Sequence, residues 1–247
     1  PEEKALFQAD WVRPEWNGRY DVAYGKSKFY GSTTYGEMRE LCGRWVNYYE
    51  FDFDRADCLP GRMAAAGYET TAIHPFGGAM FGRDKWYPKL KFDNIAFGPD
   101  LEKQGTGSCY GVFPGACDTG VAKVIHDRLK GAKKPQFVYW LTLNTHYPVM
   151  PDPAQGTQEC DRGPAEWRHD FPMICRMLHV HRQLADAITQ LAMSKDLPPM
   201  DILIVGDHAP RFIDRDSRLR FDQQHVPWIY LKAHDTAAGA GTMPRAK

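Results

Sequence analysis

The sequence is short of the features that most directly report a location or a partner. No stretch approaches the roughly 18 uninterrupted apolar residues that a membrane-spanning helix needs. Hydrophobic residues make up 43% of the 247 and the mean hydropathy is negative, so the sequence as written carries no transmembrane segment. Its first residues, PEEKALFQADW, have the order of neither a signal peptide nor a transit peptide. Charge of one sign is also missing: 31 basic residues face 31 acidic ones and the formal net charge is zero. No overall field therefore draws the chain to nucleic acid or to an anionic membrane, and any phosphate recognition must be local. CxxC pairs and the Cys/His spacing of a structural zinc site are absent. So are internal repeats, low-complexity tracts and linkers. The expectation is a soluble chain, or the soluble part of a longer one, with a single domain over residues 1–234 and a disordered tail, DTAAGAGTMPRAK, over 235–247.

Six cysteines are present, at Cys42, Cys58, Cys109, Cys117, Cys160 and Cys175. Six allow about 15 connectivities. Pairing of nearest neighbours, Cys42 with Cys58, Cys109 with Cys117 and Cys160 with Cys175, is the economical choice and points to an oxidising, extracytoplasmic compartment. Six buried thiols in a cytosolic core are the alternative.

Four apolar runs read as strands: Thr70 to Ile73, Phe137 to Leu143, Asp201 to Val205 and Trp228 to Leu231. FVYWLTL and DILIV are apolar on both faces, as in strands buried within a parallel sheet. Helical stripes lie between them. Val121, Val124, Ile125 and Leu129 form one; Met177, Val180, Leu184, Ile188 and Leu191 form a longer one, with His179 and His181 placed on its solvated side. Two more helices are expected to start near Thr33 and after Leu59, where Pro60 suits a first turn. This alternation predicts an α/β sandwich with a mainly parallel central sheet flanked by helices. The aperiodic segments from Gly77 to Thr119 and from Pro148 to Pro172 would leave the carboxyl edge of that sheet, where ligands bind.

Two segments carry candidate chemistry. In DILIVGDHAP, a buried strand delivers Asp207 and His208 to its carboxyl end, a hard oxygen beside a borderline nitrogen that suits a divalent metal; the plain alternative is a capped turn. In GSTTYGEMRELCG, hydroxyls stand at a helix amino terminus, where free N–H groups and the dipole favour a phosphate. The same residues read equally as a capping box, with Thr34 as N-cap and Glu37 at the third helical position.

GSTTYGEMRELCG, AIHPFGGAMFGRDKWY, LTLNTHYPV and VGDHAP occur in an order that resembles the sulfatase-like branch of the alkaline phosphatase superfamily. The resemblance is strongest to the membrane-anchored phosphoglycerol and phosphoethanolamine transferases, including lipoteichoic acid synthases, and spans roughly positions 25 to 231. It implies a metal-dependent transferase, using Zn2+ or Mn2+, that moves a phosphoglycerol or phosphoethanolamine group from a phospholipid donor to a glycan acceptor. The setting it implies is the periplasmic side of the inner membrane, with membrane segments outside this sequence. By motif, Thr33 corresponds to the nucleophile and a metal ligand, with Thr34 as fallback, and Asp207 and His208 to the Asp-His ligands. His74, Phe81 and Arg83 match a head-group-contacting set, with His74 also a proton carrier, and His146 matches a histidine facing the transferred phosphoryl group. The three cysteine pairs resemble those of Gram-negative periplasmic members.

Read from the residues alone, His74 could be a structural histidine and Arg83 could pair with Asp84 in a surface loop. Arg211 could hold a phosphate bidentately or pair behind the site. His225 is a further candidate substrate or metal contact. One departure stands out: the family places an acidic metal ligand at the end of its first sheet strand, and neither Glu2 nor Glu3 follows an apolar run. The expectation is that the sequence begins after that strand, since its deletion would damage the core; loss of part of the metal site is the alternative. Hydrolysis of a phosphodiester, or a catalytically inactive glycan- or lipid-binding domain, are the competing functions. No CxPxR-type context is present, which sets a true sulfatase aside.

Overall fold

The computed structural model describes residues 10–234; Glu2, Glu3 and the expected tail at 235–247 lie outside them. In chain order the strands and helices are β1 (Tyr20–Lys28), α1 (Thr33–Cys42), α2 (Leu59–Ala65), β2 (Glu69–His74), α3 (Arg83–Trp86), β3 (Asn94–Phe97), α4 (Gly98–Glu102), β4 (Ser108–Cys109), β5 (Gly115–Ala116), α5 (Asp118–Lys130), β6 (Gln136–Trp140), α6 (Trp167–Asp170), α7 (Pro172–Met193), β7 (Ile202–Val205), α8 (Arg215–Arg218) and β8 (His225–Ala233).

The α/β class is as expected, but the strands divide between two three-stranded sheets of different type. In one, β2 pairs in parallel with both β3 and β6, in the order β3-β2-β6. In the other, β8 pairs antiparallel with β1 and β7, in the order β1-β8-β7. The expected parallel arrangement is thus met by the first sheet only. Four strands are absent from the sequence reading, β3, β4, β5 and β1; the longest of them, β1, runs nine residues in register with β8 from Tyr20 opposite Ala233 to Lys28 opposite His225.

Side chains alternate across β2. Ala72 joins Met38 and Leu41 of α1 with Trp86, Tyr87 and Leu90 on one face, while Ile73 joins Val121 and Ile125 of α5 and Leu191 of α7 on the other. The parallel sheet is therefore covered on both faces, which explains its apolar strands. Helix α7, 22 residues long, also reaches the antiparallel sheet, where Ala192 packs with Tyr20, Ile229 and Leu231. Each fully buried Ile, Leu or Val in these contacts stabilises the fold by roughly 1.5–3 kcal/mol.

All three nearest-neighbour disulfides are formed, Cys42–Cys58, Cys109–Cys117 and Cys160–Cys175, with no free cysteine. They fit an oxidising, extracytoplasmic compartment. The first joins the end of α1 to the residue before α2, and closing a loop of that length stabilises by about 3 kcal/mol. No described helix is long and apolar enough to cross a membrane.

Candidate active site

Helix α1 begins at Thr33, with Ser32 as its N-cap in extended conformation and making no side-chain cap bond. The hydroxyl of Thr33 therefore sits among amide groups that the helix itself leaves without partners. It lies 3.2 Å from Nε2 of His208. Nδ1–H of that ring donates to the carbonyl of Ala209 at 2.8 Å, which orients the ring so that Nε2 is the atom turned to Thr33. Asp207 completes the group, with Oδ2 3.4 Å from the same Nε2 and Oδ1 accepting the His208 backbone N–H at 2.8 Å.

Two contacts hold α1 against the Asp207 turn. A Cβ on Gly36 would stand 2.8 Å from Cβ of Asp207 and 3.0 Å from its Cα, so only glycine permits this approach. One turn further on, Nη2 of Arg39 donates 2.7 Å to the carbonyl of Gly206. Of the two candidate hydroxyls, Thr33 is the one aimed at His208. Thr34 is buried, with Oγ1 3.4 Å from Ser32 Oγ.

Two more histidines come from the parallel sheet. His74 ends β2 and donates from Nδ1 to the carbonyl of Leu141, 3.1 Å away beyond β6. Burial, reinforced by the nearby charge of Arg83, pushes its pKa down to about 3, so the ring is neutral with Nε2 unprotonated. His146 packs edge-on against Phe113 at 4.9 Å and against His208 at 6.1 Å between ring centroids. Burial lowers its pKa too, against the opposing pull of Asp207. The loop before His146 is held by Asp118 at the start of α5, whose carboxylate accepts from the backbone N–H of Leu143 and Asn144 at 3.0 and 2.7 Å. Burial raises the Asp118 pKa to about 6, and those hydrogen bonds restrain the rise. Neither Phe113 nor Asp118 was singled out from sequence; the acidic first turn of CDTGVAK was the available signal for the second.

Arg83 is not in a surface loop and is not free to reach a head group. It is 2% exposed; its Nε and Nη2 donate to the Glu37 carboxylate, at 3.0 Å to Oε1 and 2.7 Å to Oε2, and the Tyr87 hydroxyl donates to Glu37 as well. Burial disfavours the Arg83 charge, and Glu37 overrides this, holding its pKa above the ordinary value. The capping-box reading fails at the same residue. Glu37 points inward to Arg83, and Ser32, not Thr34, is the N-cap. Phe81, 42% exposed, has a left-handed backbone (φ 56°) and lies with its ring 5.2 Å from the Arg83 guanidinium. A bulky residue in that conformation is strained and persists only where its surroundings enforce it.

Arg211 is exposed and donates to the carbonyl of Gly31 at 2.7 Å, two residues before Thr33, and its charge reaches His146. His225 opens β8 and engages Asp222, with Nδ1 3.3 Å from Oδ1; nothing brings it onto Thr33 or His208. The expected solvated face of α7 is in fact partly covered. Nε2–H of His179 donates to the carbonyl of Gln155 at 3.2 Å, and His181 packs edge-on to Trp11 at 6.1 Å, with burial holding its pKa at about 4.

Among the described residues no group of three His, Cys, Asp or Glu converges. The donors that do converge are Thr33 Oγ1, His208 Nε2 and an Asp207 carboxylate oxygen, with spacings of 3.2 and 3.4 Å. Zinc bonds to O and N at about 2.0–2.2 Å, which sets neighbouring corners of a tetrahedron about 3.3–3.6 Å apart. The two spacings centred on His208 Nε2 lie close to that separation, so the chemistry of these three residues suits a divalent metal.

No curated protein matches the sequence. Among solved structures, the lipoteichoic acid synthase LtaP from Listeria monocytogenes aligns with a TM-score of 0.66 at 16% identity, over 91% of this chain and 60% of that one. The Streptococcus pyogenes phosphoglycerol transferase GacH, in complex with sn-glycerol-1-phosphate, aligns at 0.58 and 16%, over 92% and 61%. The periplasmic domain of EcEptC from Escherichia coli aligns at 0.56 and 14%, over 94% and 66%. This chain thus spans about 60% of the length of the first two, and at these identities the likeness establishes the fold. The Sulfatase family model matches residues 26–238, and the chain belongs to that family.

Proposed function

We propose that residues 1–234 form the catalytic domain of a divalent-metal-dependent transferase. In this reading it moves a phosphoglycerol or phosphoethanolamine group from a phospholipid to a glycan hydroxyl at the outer face of the inner membrane. The observation that carries this is the Thr33 hydroxyl, set at the amino terminus of α1 and 3.2 Å from Nε2 of His208. The structural likeness to LtaP, GacH and EcEptC supports it. Thr33, Asp207 and His208 would hold Zn2+ or Mn2+, which supplies Lewis-acid charge that makes a neighbouring hydroxyl more acidic.

Thr33 Oγ1 gives up its proton and bonds to the donor phosphorus as the bond from phosphorus to the diacylglycerol oxygen breaks. His146, neutral and adjacent to His208, accepts that proton and delivers it to the leaving oxygen, with His74 as the second neutral imidazole of the site. In the second half the acceptor hydroxyl loses its proton to the same base, bonds to phosphorus, and Thr33 leaves and is reprotonated. The first-turn N–H groups of α1 and the Arg211 guanidinium stabilise charge on the non-bridging oxygens. Arg83 acts from behind, by fixing Glu37 and so α1.

Incubation with phospholipid and mass spectrometry of the intact protein tests this. The wild-type chain should gain the mass of the phospho-head group and Thr33→Ala should not; an adduct that survives in Thr33→Ala overturns the assignment. Assaying lipid cleavage with and without a glycan acceptor separates transfer from hydrolysis. The absence of a second acidic ligand among the described residues favours a second reading, an inactive binding domain. Stoichiometric zinc or manganese in the purified protein, lost on Asp207→Ala, favours the enzyme, and no metal under any condition favours the binding domain.

A further inference from the structure

Next to Thr33 lies a surface that the chemistry above does not use. Tyr30, Trp45 and Tyr49 are 55%, 47% and 68% exposed, and Tyr30 meets Trp45 edge-on at 4.9 Å between centroids. Below the Trp45 ring, 5.6 Å from its centroid, the Arg39 guanidinium is held by Glu40 and by the carbonyls of Lys28 and Gly206. The cation thus fixes the indole from underneath. Beside it, the Asn47 amide donates one N–H to the Tyr35 hydroxyl at 2.7 Å and one to the Tyr49 hydroxyl at 2.8 Å. Each phenol accepts, so each keeps its own O–H to donate outward, and the Asn47 carbonyl remains an acceptor. Tyr35 packs against Gly31, and Tyr30, three residues before Thr33, cannot be more than about 11 Å from it along the chain.

We propose that Tyr30, Tyr35, Arg39, Trp45, Asn47 and Tyr49 form a glycan subsite on the acceptor side of the active site, an assignment of acceptor role that rests on the transferase reading. Sugar rings present an apolar C–H face and an edge of hydroxyls that both donate and accept. The surface offers the complement: rigid aromatic faces bordered by two phenolic donors and an amide acceptor. Trp and Tyr also gather at bilayer surfaces, typically beside Lys and Arg free to meet anionic lipid; here the cation beneath Trp45 is already engaged by Glu40 and two carbonyls.

Saturation-transfer NMR on the full chain, irradiating protein aromatic protons with cellohexaose, maltohexaose and laminarihexaose as probes, tests the subsite. Saturation should reach the sugar-ring protons of at least one probe, and Trp45→Ala and Tyr49→Ala should each weaken binding about tenfold, the loss expected for one stacking ring. In a transfer assay the same two substitutions should raise the acceptor KM. The proposal is overturned if no probe receives saturation, if both substitutions leave binding unchanged, or if Trp45 governs binding to phosphatidylethanolamine/phosphatidylglycerol vesicles instead. A wild-type chain that binds a probe but transfers nothing would sink the transferase reading and leave the subsite standing.

Discussion

Glu37 and Arg83, 46 residues apart in sequence, close a solvent-free ion pair beneath the helix that carries Thr33. Burying two charges is costly, and breaking such a pair by removing one partner typically costs about 3–5 kcal/mol, because the other is left uncompensated. Glu37→Leu or Arg83→Met should each destabilise on that scale in urea unfolding. The double replacement Glu37→Leu with Arg83→Met should cost much less than the sum. Simple additivity would show that the pair does not act as a unit.

Gly36→Ala offers a test of the approach between α1 and the Asp207 turn. In a helix interior this change ordinarily stabilises by about 1 kcal/mol. Here the added methyl would meet Asp207 at 2.8 Å, so stability and metal affinity should both fall. Gly77→Ala, where nothing lies within 4 Å, is the control. Retained metal affinity in Gly36→Ala would contradict the packing.

The pH dependence of stability should carry the mark of His74. Its folded pKa of about 3 lies below the ordinary 6.5, so between those values the unfolded chain binds a proton that the folded chain refuses. Stability is unaffected above about pH 6.5 and falls as the pH drops below it, by about 2 kcal/mol at pH 5 from this residue. His181 acts in the same direction. Asp118, raised to about 6 from 3.8, opposes them, since its contribution is lost as pH rises through that window. His74→Gln should flatten the acid limb of a Tm-against-pH curve; an unchanged slope would show that another group controls it.

Chelation should matter more than ionic strength. With zero net charge and a site made of one carboxylate, one imidazole and one hydroxyl, EDTA should abolish lipid cleavage and added Zn2+ or Mn2+ restore it. Raising salt from 50 to 200 mM should change the rate less than about twofold. The reverse pattern would point to a diffuse electrostatic site.

Asp207, His208 and Thr33 were legible because each stands at the end of an element that announces itself: an apolar strand, and a hydroxyl-rich entry to an amphipathic helix. The disulfides were legible because short loops favour local closure. β1 was not, because only Tyr20 of YDVAYGKSK is buried and its partner lies at the other end of the chain. Glu37 and Arg83 were misread for a related reason. Each has a plausible local partner in sequence, and only tertiary structure reveals the distant one. The histidines of α7 lie outside the helix's apolar stripe, yet Gln155 and Trp11 cover them from elsewhere in the fold.

The division into two sheets has a practical meaning for the material itself. Among the described residues, β6 and β7 each end their sheet, both are apolar, and Leu203 in β7 is 57% exposed. Unpaired N–H and C=O groups along such a strand recruit other strands. The exposed part of β7 around Leu203 is thus the place where pairing with a second copy would begin, and light scattering of a concentrated sample followed over days checks it.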